Sequence, residues 1–432
     1  MAHSRRKFLA ASAAAPLISQ GGVAPSDRIR VGVIGTGGQG RGNMGVFQRF
    51  KEFEIAALCD VNQEQLARTL QRLESKPDTY SDYRRLLDRK DLNVVIIATP
   101  DHWHALQCIH ACQAGKDVYV EKPLALTINE GKRMVEVARA ANRVVQVGTQ
   151  QRSGRHFQRA VELIKEGKIG RVSFARCWTH ENNYPAGIGN PPDADPPATL
   201  DWDMWLGPAP KVAWNPNRSS TNFRWFWDYS GGKLTDWGTH LIDIVHWALD
   251  VDVIGGPRAV SAHGAKLLLQ DNRQTPDTLE VVYEYPGFFM SYSSRELNAR
   301  PVENKNYGIE FFGTAGTMFL DRDGFEVHPE TERVEQGEYF FRSNYRNLRG
   351  GDQSQHNVNH VRNFLECLKT RERPISDIEI GHRSTTAAHL GNIAYRRNER
   401  LRWDPVRQDL VGGSPEARAL LSRPYRAPWK LP

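Results

Sequence analysis

Ile29-Arg30-Val31-Gly32-Val33-Ile34 runs directly into Gly35-Thr36-Gly37-Gly38-Gln39-Gly40. The first six residues read as a buried β-strand, and Gly35, Gly37 and Gly40 satisfy G-x-G-x-x-G at a point where the chain can open a helix. Each glycine has a mechanical reason: a tight turn, close approach of the backbone to a pyrophosphate, and close helix–strand packing. Amides at the helix start, with Thr36, Gly38 and Gln39 in the turn, would then face phosphate oxygens. Alone the pattern is weak, but a second apolar run, Ile55-Ala56-Ala57-Leu58-Cys59, ends at Asp60, twenty residues past Gly40. A carboxylate there bonds a ribose diol and repels a 2′-phosphate, so the spacing predicts NAD in preference to NADP.

Outward from this turn, strands and helices keep alternating. Asn93–Ala98 is an apolar strand, Trp103–Ala114 a helix and Val118–Val120 a strand; Thr127-Ile128-Asn129-Glu130 is a capping box opening a helix to about Ala141, ahead of the strand Val144–Val147. That alternation predicts a doubly wound parallel sheet whose ligand sits at the carboxyl ends of its strands. Two such ends are chemically dense: Thr99-Pro100-Asp101-His102-Trp103-His104, and Glu121-Lys122-Pro123.

After Gly148-Thr149-Gln150-Gln151-Arg152 the pattern changes. A helix over Arg155–Lys165 leads into a strand over Val172–Thr179, and the proline-rich Asn190–Pro197 reads as a surface loop or lid. Alternating runs at Thr278–Tyr285, Phe289–Ser294, Tyr307–Phe312 and Thr317–Leu320 predict an antiparallel meander, closed by helices over His360–Leu368 and Ser384–Arg396. The expected fold class is therefore α/β followed by α+β. A Rossmann-type doubly wound parallel sheet spans residues 28–150, a substrate-binding domain with an open, mainly antiparallel sheet spans 151–380, and a C-terminal helix and tail, 381–432, pack back on the body.

Ahead of the meander lies Thr235-Asp236-Trp237-Gly238-Thr239-His240-Leu241-Ile242-Asp243-Ile244-Val245-His246-Trp247. Helical offsets place Asp236, His240, Asp243 and Trp247 on one face. A carboxylate and an imidazole spaced i,i+4 can share a hydrogen bond, so Asp236 is expected to orient His240 and tune a ring whose free pKa is about 6.5. Seven of eleven tryptophans fall between Trp202 and Trp247, including Trp225-Phe226-Trp227. Their faces suit sugar C–H surfaces, with Arg224 and Asp228 alongside for hydroxyls, although core packing accounts for some of them.

Composition narrows the alternatives. With 40% apolar and 25% charged residues in 432, the chain is ordinary globular material long enough for two or three domains. No run approaches the roughly 18 apolar residues of a membrane helix. The net charge, 57 − 50 = +7, is spread rather than blocked, which leaves a nucleic-acid partner unsupported. Five scattered cysteines make no disulfide scaffold, and Cys108 and Cys112 read as small buried thiols. A zinc set of His102, His104 and His240 fits poorly, so no metal is expected. Residues 1–27 form a signal and linker: Ser4-Arg5-Arg6-Lys7-Phe8-Leu9 before an alanine-rich apolar stretch resembles a twin-arginine export signal. It implies the twin-arginine export machinery as partner and a periplasmic destination.

Taken together, Gly35-x-Gly37-x-x-Gly40, Asp60, Thr99-Pro100 with His104, Glu121-Lys122-Pro123 and Asp236-x-x-x-His240 resemble the Gfo/Idh/MocA oxidoreductases. The resemblance implies an NAD-dependent enzyme acting on a carbohydrate-like alcohol, with Lys122 catalytic behind a cis peptide to Pro123. It implies His240 as general acid/base, Asp236 as its orienting group, and Thr99, Pro100, His104, Glu121 and Gln150 at the cofactor. It also implies Arg152 and Asp243 as second-rank substrate contacts, beside Trp225, which the tryptophan placement suggests. Outside the cytoplasm a dissociable cofactor is lost, so the NAD is expected to be tightly held and recycled. Two alternatives stand beside this: an oxidation–elimination–reduction glycosidase, against which Lys122 weighs because that subgroup lacks it, and a non-catalytic sugar- or nucleotide-binding protein. The open sheet face invites a homo-oligomer.

Overall fold

Six short strands meet in one sheet; all but one edge strand are apolar on both faces, and helices cover both sides. In this computed structural model, which describes residues 28–302, 304–333, 339–341 and 353–432, they are β1 (Ile29–Ile34), β2 (Phe53–Cys59), β3 (Asp78–Tyr80), β4 (Val94–Ile97), β5 (Asp117–Val120) and β6 (Val145–Val147). Their order is β3-β2-β1-β4-β5-β6, all parallel. The connections carry α1 (Gly38–Phe47), α2 (Gln63–Leu70), α3 (Tyr83–Leu87), α4 (Asp101–Gln113) and α5 (Ile128–Ala140). Alternate residues of β4 enter opposite cores: Val94 and Ile96 pack with Phe47 and Phe364, Val95 and Ile97 with Leu106 and Ile109. The strand order turns back between β1 and β4, and there a crevice opens at the carboxyl ends. The capping box forms at α5, with the Thr127 amide donating to Glu130 Oε2 at 3.0 Å.

The second unit begins with α6 (Arg155–Lys165) and β7 (Val172–His180), followed by α7 (Trp202–Leu206), α8 (Thr239–Ala248) and α9 (Val251–Ile254). Then come β8 (Ala259–Ala265), β9 (Thr278–Tyr285), β10 (Phe288–Arg295), β11 (Tyr307–Gly313), β12 (Gly316–Leu320), β13 (Phe325–Pro329), β14 (Thr331–Arg333) and β15 (Tyr339–Phe341). The chain closes with α10 (Gln353–Thr370), α11 (Ile378–Arg397), β16 (Leu401–Asp404), β17 (Asp409–Leu410) and α12 (Pro415–Ala419). Nine strands form one sheet, β13-β12-β11-β7-β10-β9-β8-β16-β17, antiparallel except at the β7–β10 pair. One face buries Met290, Ile309 and Val281 against α6, α8 and α11; the other leaves Val282 and Phe289 exposed.

The architecture is the expected α/β unit followed by a mainly antiparallel sheet. A boundary at 380 falls inside α11, whose continuation into β16 extends the second sheet. β3 was not legible because Asp78-Thr79-Tyr80 is a short edge strand with mostly exposed side chains. Asn190–Pro197 lies largely exposed, tied down through Asn215 Nδ2, which donates to Pro191 O and Asp193 Oδ1 at 2.9 Å. Cys108 and Cys112 are buried free thiols. The signal-like residues 1–27 lie outside the described residues, among which no helix is long and apolar enough to cross a membrane.

Candidate active site

A cavity of about 500 Å³ follows the carboxyl ends of β1, β2, β4 and β5. The glycine turn forms its floor. Gly35 has φ +87°, open to glycine at little cost, and a Cβ there would lie 2.7 Å from the Ala98 carbonyl oxygen. A Cβ on Gly40 would lie 1.9 Å from Gly35 O, so α1 can pack this close to β1 only without a side chain. A Cβ on Gly37 or Gly38 would meet nothing within 4 Å, and no side chain caps α1. The helix start therefore presents bare amides to open space, the cradle that a pyrophosphate fills.

The two kinds of glycine should fail differently. Gly40→Ala is expected to lower stability by roughly 1–3 kcal/mol, the usual cost of overpacking. Gly37→Ala should leave the melting temperature within a degree or two and weaken dinucleotide binding about tenfold or more. Thermal melts paired with cofactor titration check both.

At the end of β2, Asp60 Oδ2 accepts from the Thr36 amide at 2.7 Å and the Thr36 hydroxyl at 2.9 Å, while Oδ1 accepts from the Asn62 amide at 2.9 Å. Thr36 is buried and serves to hold this carboxylate. Burial raises the Asp60 pKa against those hydrogen bonds. Further along, His104 Nδ1 meets Pro123 O at 2.8 Å and Nε2 meets Thr99 O at 2.9 Å, so the ring joins the ends of β4 and β5. The Lys122–Pro123 peptide is cis. Glu121 is the hub beneath: its Oε1 accepts from Gln39 at 3.1 Å, Asn43 at 2.9 Å and Gln150 at 3.2 Å. Gln150 Nε2 also donates to Tyr119 Oη at 3.1 Å.

The cavity's inner end is formed by Lys122 and Arg224, and both reach Asp236. Lys122 Nζ donates to Asp236 Oδ1 at 2.7 Å and to its backbone oxygen at 2.8 Å; Arg224 Nε donates to the same Oδ1 at 3.0 Å. Burial pushes the Asp236 carboxyl up, but the two cations outweigh it and hold it well below the usual carboxylate range. His240 is 5% exposed, and burial, then Lys122 and Arg322, hold it well below the ordinary histidine range; Asp236 offsets this only in part. The ring is therefore neutral, and its buried Nδ1 has no partner among the described residues.

Asp236 does not hydrogen-bond His240, contrary to the i,i+4 expectation. Leu234–Gly238 forms a wide π turn before α8 begins at Thr239. The wider turn breaks the α-helical phase, so Asp236 aims at Lys122 and Arg224 instead. Nor do Arg152 and Asp243, expected as substrate contacts, line the cavity. Arg152 Nε donates to Asp243 Oδ2 at 2.7 Å and Ser384 Oγ donates to Asp243 Oδ1 at 2.6 Å, with the pair's side chains 2% and 1% exposed. They form an ion pair under α8, sealed from the cavity. Trp225 lies outside the cavity wall, packed against Arg273 and Lys233 at 4.7 and 5.6 Å. The wall over the β2 end comes instead from Leu200, Met204, Trp205 and Phe223. Asp101, with its pKa raised by burial and its carboxylate taking the Ser230 hydroxyl, also lines the cavity. Arg224, expected beside the tryptophans as a hydroxyl contact, lines the cavity and holds Asp236, whereas no motif marks Asp101 for a role.

A dinucleotide cradle of this kind, followed by an open mixed sheet, defines a two-domain nicotinamide-dependent oxidoreductase architecture. Residues 29–149 match the family profile described as oxidoreductase family, NAD-binding Rossmann fold, and residues 174–278 with 338–431 match its C-terminal alpha/beta domain. The chain belongs to the Gfo/Idh/MocA oxidoreductase family. Among curated proteins it is 32% identical over 178 residues to a glycosyl hydrolase family 109 protein of Shewanella pealeana. That match spans 39% of this chain and 39% of the relative. Among solved structures, an NAD binding oxidoreductase from Klebsiella pneumoniae superposes with a TM-score of 0.66 at 20% identity, covering 87% of this chain and 99% of that one. Levoglucosan dehydrogenase, solved with NADH and levoglucosan, gives 0.64 at 21% identity, covering 87% and 99%.

Proposed function

We propose that this protein moves a hydride between the carbinol carbon of a carbohydrate-like alcohol and a tightly held NAD. The observation that carries the reading is the Lys122 ammonium at the inner end of the dinucleotide cavity, fixed by Asp236 at 2.7 Å and close to a neutral, buried His240. NAD, when bound, supplies the hydride acceptor. The chain's own residues handle the proton and the charge. Lys122 uses two of its three N–H groups on Asp236, which leaves the third for the reacting oxygen. As hydride leaves the carbon, His240 takes the hydroxyl proton, and Lys122 stabilises the oxygen as it becomes a carbonyl. Asp236 fixes the ammonium rather than the imidazole and is a positioning residue.

Asp60 supports NAD over NADP, because its carboxylate at the β2 end faces the place of a ribose diol and would repel a 2′-phosphate. The twin-arginine-like Ser4–Leu9 supports export to the periplasm with cofactor loaded, and export in turn favours a cofactor that is recycled in place. Levoglucosan dehydrogenase binds an anhydrosugar on the same fold, in keeping with a carbohydrate substrate.

The test is to purify the mature protein without added cofactor, identify what it carries by absorbance and mass, and screen sugars and polyols for bound-NADH formation. Retained NAD with reduction by at least one sugar is expected. An empty site filled only by millimolar NAD sinks the recycling, and no reduction by any sugar sinks the hydride transfer. The relative from Shewanella pealeana favours a second reading, glycoside cleavage by transient oxidation. Release of aglycone from a nitrophenyl glycoside without net NADH would select it.

A further inference from the structure

Arg322 occupies the turn between β12 and β13, half-buried, with its guanidinium 4.6 Å from the centre of the Trp237 ring. Trp237 follows Asp236 directly, and its ring lies 6.4 Å from that of His240 and 5.0 Å from that of Tyr307. The charge of Arg322 acts on His240, and Asp236 acts on Arg322 in turn. The N–H groups of an ordered guanidinium normally meet water or an acceptor, because each one left without an acceptor in a buried place is unfavourable. Among the described residues none accepts a hydrogen bond from this guanidinium, and no carboxylate lies within ion-pair distance. Its Nε is sealed from solvent with no partner. Burial lowers its pKa, in keeping with a cation short of counter-charge.

The neighbouring carboxylates are engaged elsewhere. Asp236 accepts from both Lys122 and Arg224. Asp321 holds Lys305 at 3.0 Å and the Asp323 amide at 2.8 Å. Asp323 holds Lys305 as well, at 2.9 Å. If Arg322 only covered Trp237, an apolar side chain or the stem of a lysine would do so without an unpaired N–H.

We propose that Arg322 receives a carboxylate of the substrate, so that the compound oxidised or reduced beside Lys122 and His240 is a sugar acid or a glycoside of one. A planar guanidinium matches a carboxylate with two parallel hydrogen bonds, and one cation balances one negative charge. A phosphate dianion would call for a second cation. The inference rests on the proposed placement of the sugar beside Lys122, and its test is read by binding so that the two can fail separately.

Cofactor-loaded protein is titrated calorimetrically with D-glucuronate and D-galacturonate, with D-glucose and D-galactose as neutral parents, and with D-glucose 6-phosphate. A uronate should bind at least about tenfold more tightly than its neutral parent, and Arg322→Gln should remove that preference while leaving affinity for the neutral parent unchanged. Arg322→Lys should restore part of it. A melt and cofactor content equal to wild type show that the variant is folded. Equal affinity for uronates and neutral sugars, equal weakening of both by Arg322→Gln, or tighter binding of the phosphate overturns the proposal. Uronate binding with no NADH from any sugar would leave Arg322 in its role and sink the hydride transfer; NADH from neutral sugars with no uronate preference would do the reverse.

Discussion

Lys122→Ala is expected to reduce turnover about a thousandfold and leave the dinucleotide bound, within the 10²–10⁴ range of a lost acid–base group. Two effects combine. The oxygen of the reacting alcohol loses the ammonium that stabilises its charge as hydride leaves. His240 also loses the cation that contributes most, after burial, to its lowered pKa, so its affinity for protons rises toward the ordinary histidine range. The fold should survive, because Asp236 keeps Arg224 at 3.0 Å and Lys122 lies at a strand end. Lys122→Arg should not rescue the rate, since a planar fork cannot reproduce a point charge shared between Asp236 Oδ1 and its carbonyl. Single-turnover NADH formation with the best sugar, set against bound cofactor per chain, measures both. Turnover within a few-fold of wild type would remove Lys122 from the reaction.

The second large effect concerns stability. Burial is the leading cause that lowers the pKa of His102 and His246 to about 3 and of His360 and His382 to about 4. All four are 0–3% exposed, and among the described residues Nδ1 of His102 and of His246 has no partner to accept a proton's hydrogen bond. The folded values lie below the unfolded 6.5, so below that pH the unfolded chain binds protons that the folded chain refuses. The stabilisation is complete above pH 6.5 and is lost as pH falls toward the folded values. Each group contributes a slope of about 1.4 kcal/mol per pH unit. Four acting together give roughly 5–6 kcal/mol per unit, comparable to a whole domain's stability of about 5–15 kcal/mol. Cooperative unfolding between about pH 5 and 6 is therefore expected. Urea midpoints at pH 7.5, 6.5 and 5.5 check it: little change across the first step, a large drop across the second. Equal midpoints at all three would show that these rings are not buried in neutral form.

How much of the site could be read beforehand depended on range. The glycine turn, Asp60 and the Thr127 capping box act within a few residues or at fixed strand–helix spacing, and side-chain size or hydrogen-bonding type alone decides what each can do. The cis-linked Lys122 came from resemblance, not from spacing. The Asp236–His240 pairing was misread because periodicity assumes an unbroken α-helix, and the π turn at Leu234–Gly238 carries no composition that separates it from one. Arg152 and Asp243 were expected at the substrate from the resemblance, and nothing in their charge or spacing foretold that they would be buried against each other.

Residue types by themselves determined that a parallel, doubly wound sheet would come first, that a glycine turn would leave helix amides bare, and that a carboxylate would stand at the end of the second strand. Tertiary structure alone decided which charges meet. Lys122 and Asp236 are 114 residues apart, and Arg152 and Asp243 are 91 apart. One carboxylate is held between two cations, the other is locked in a sealed pair, and among the described residues no carboxylate pairs with Arg322. Local sterics are written into single side chains, whereas an ion pair depends on the phase of a helix and on the packing of distant elements, which no short stretch of chain contains.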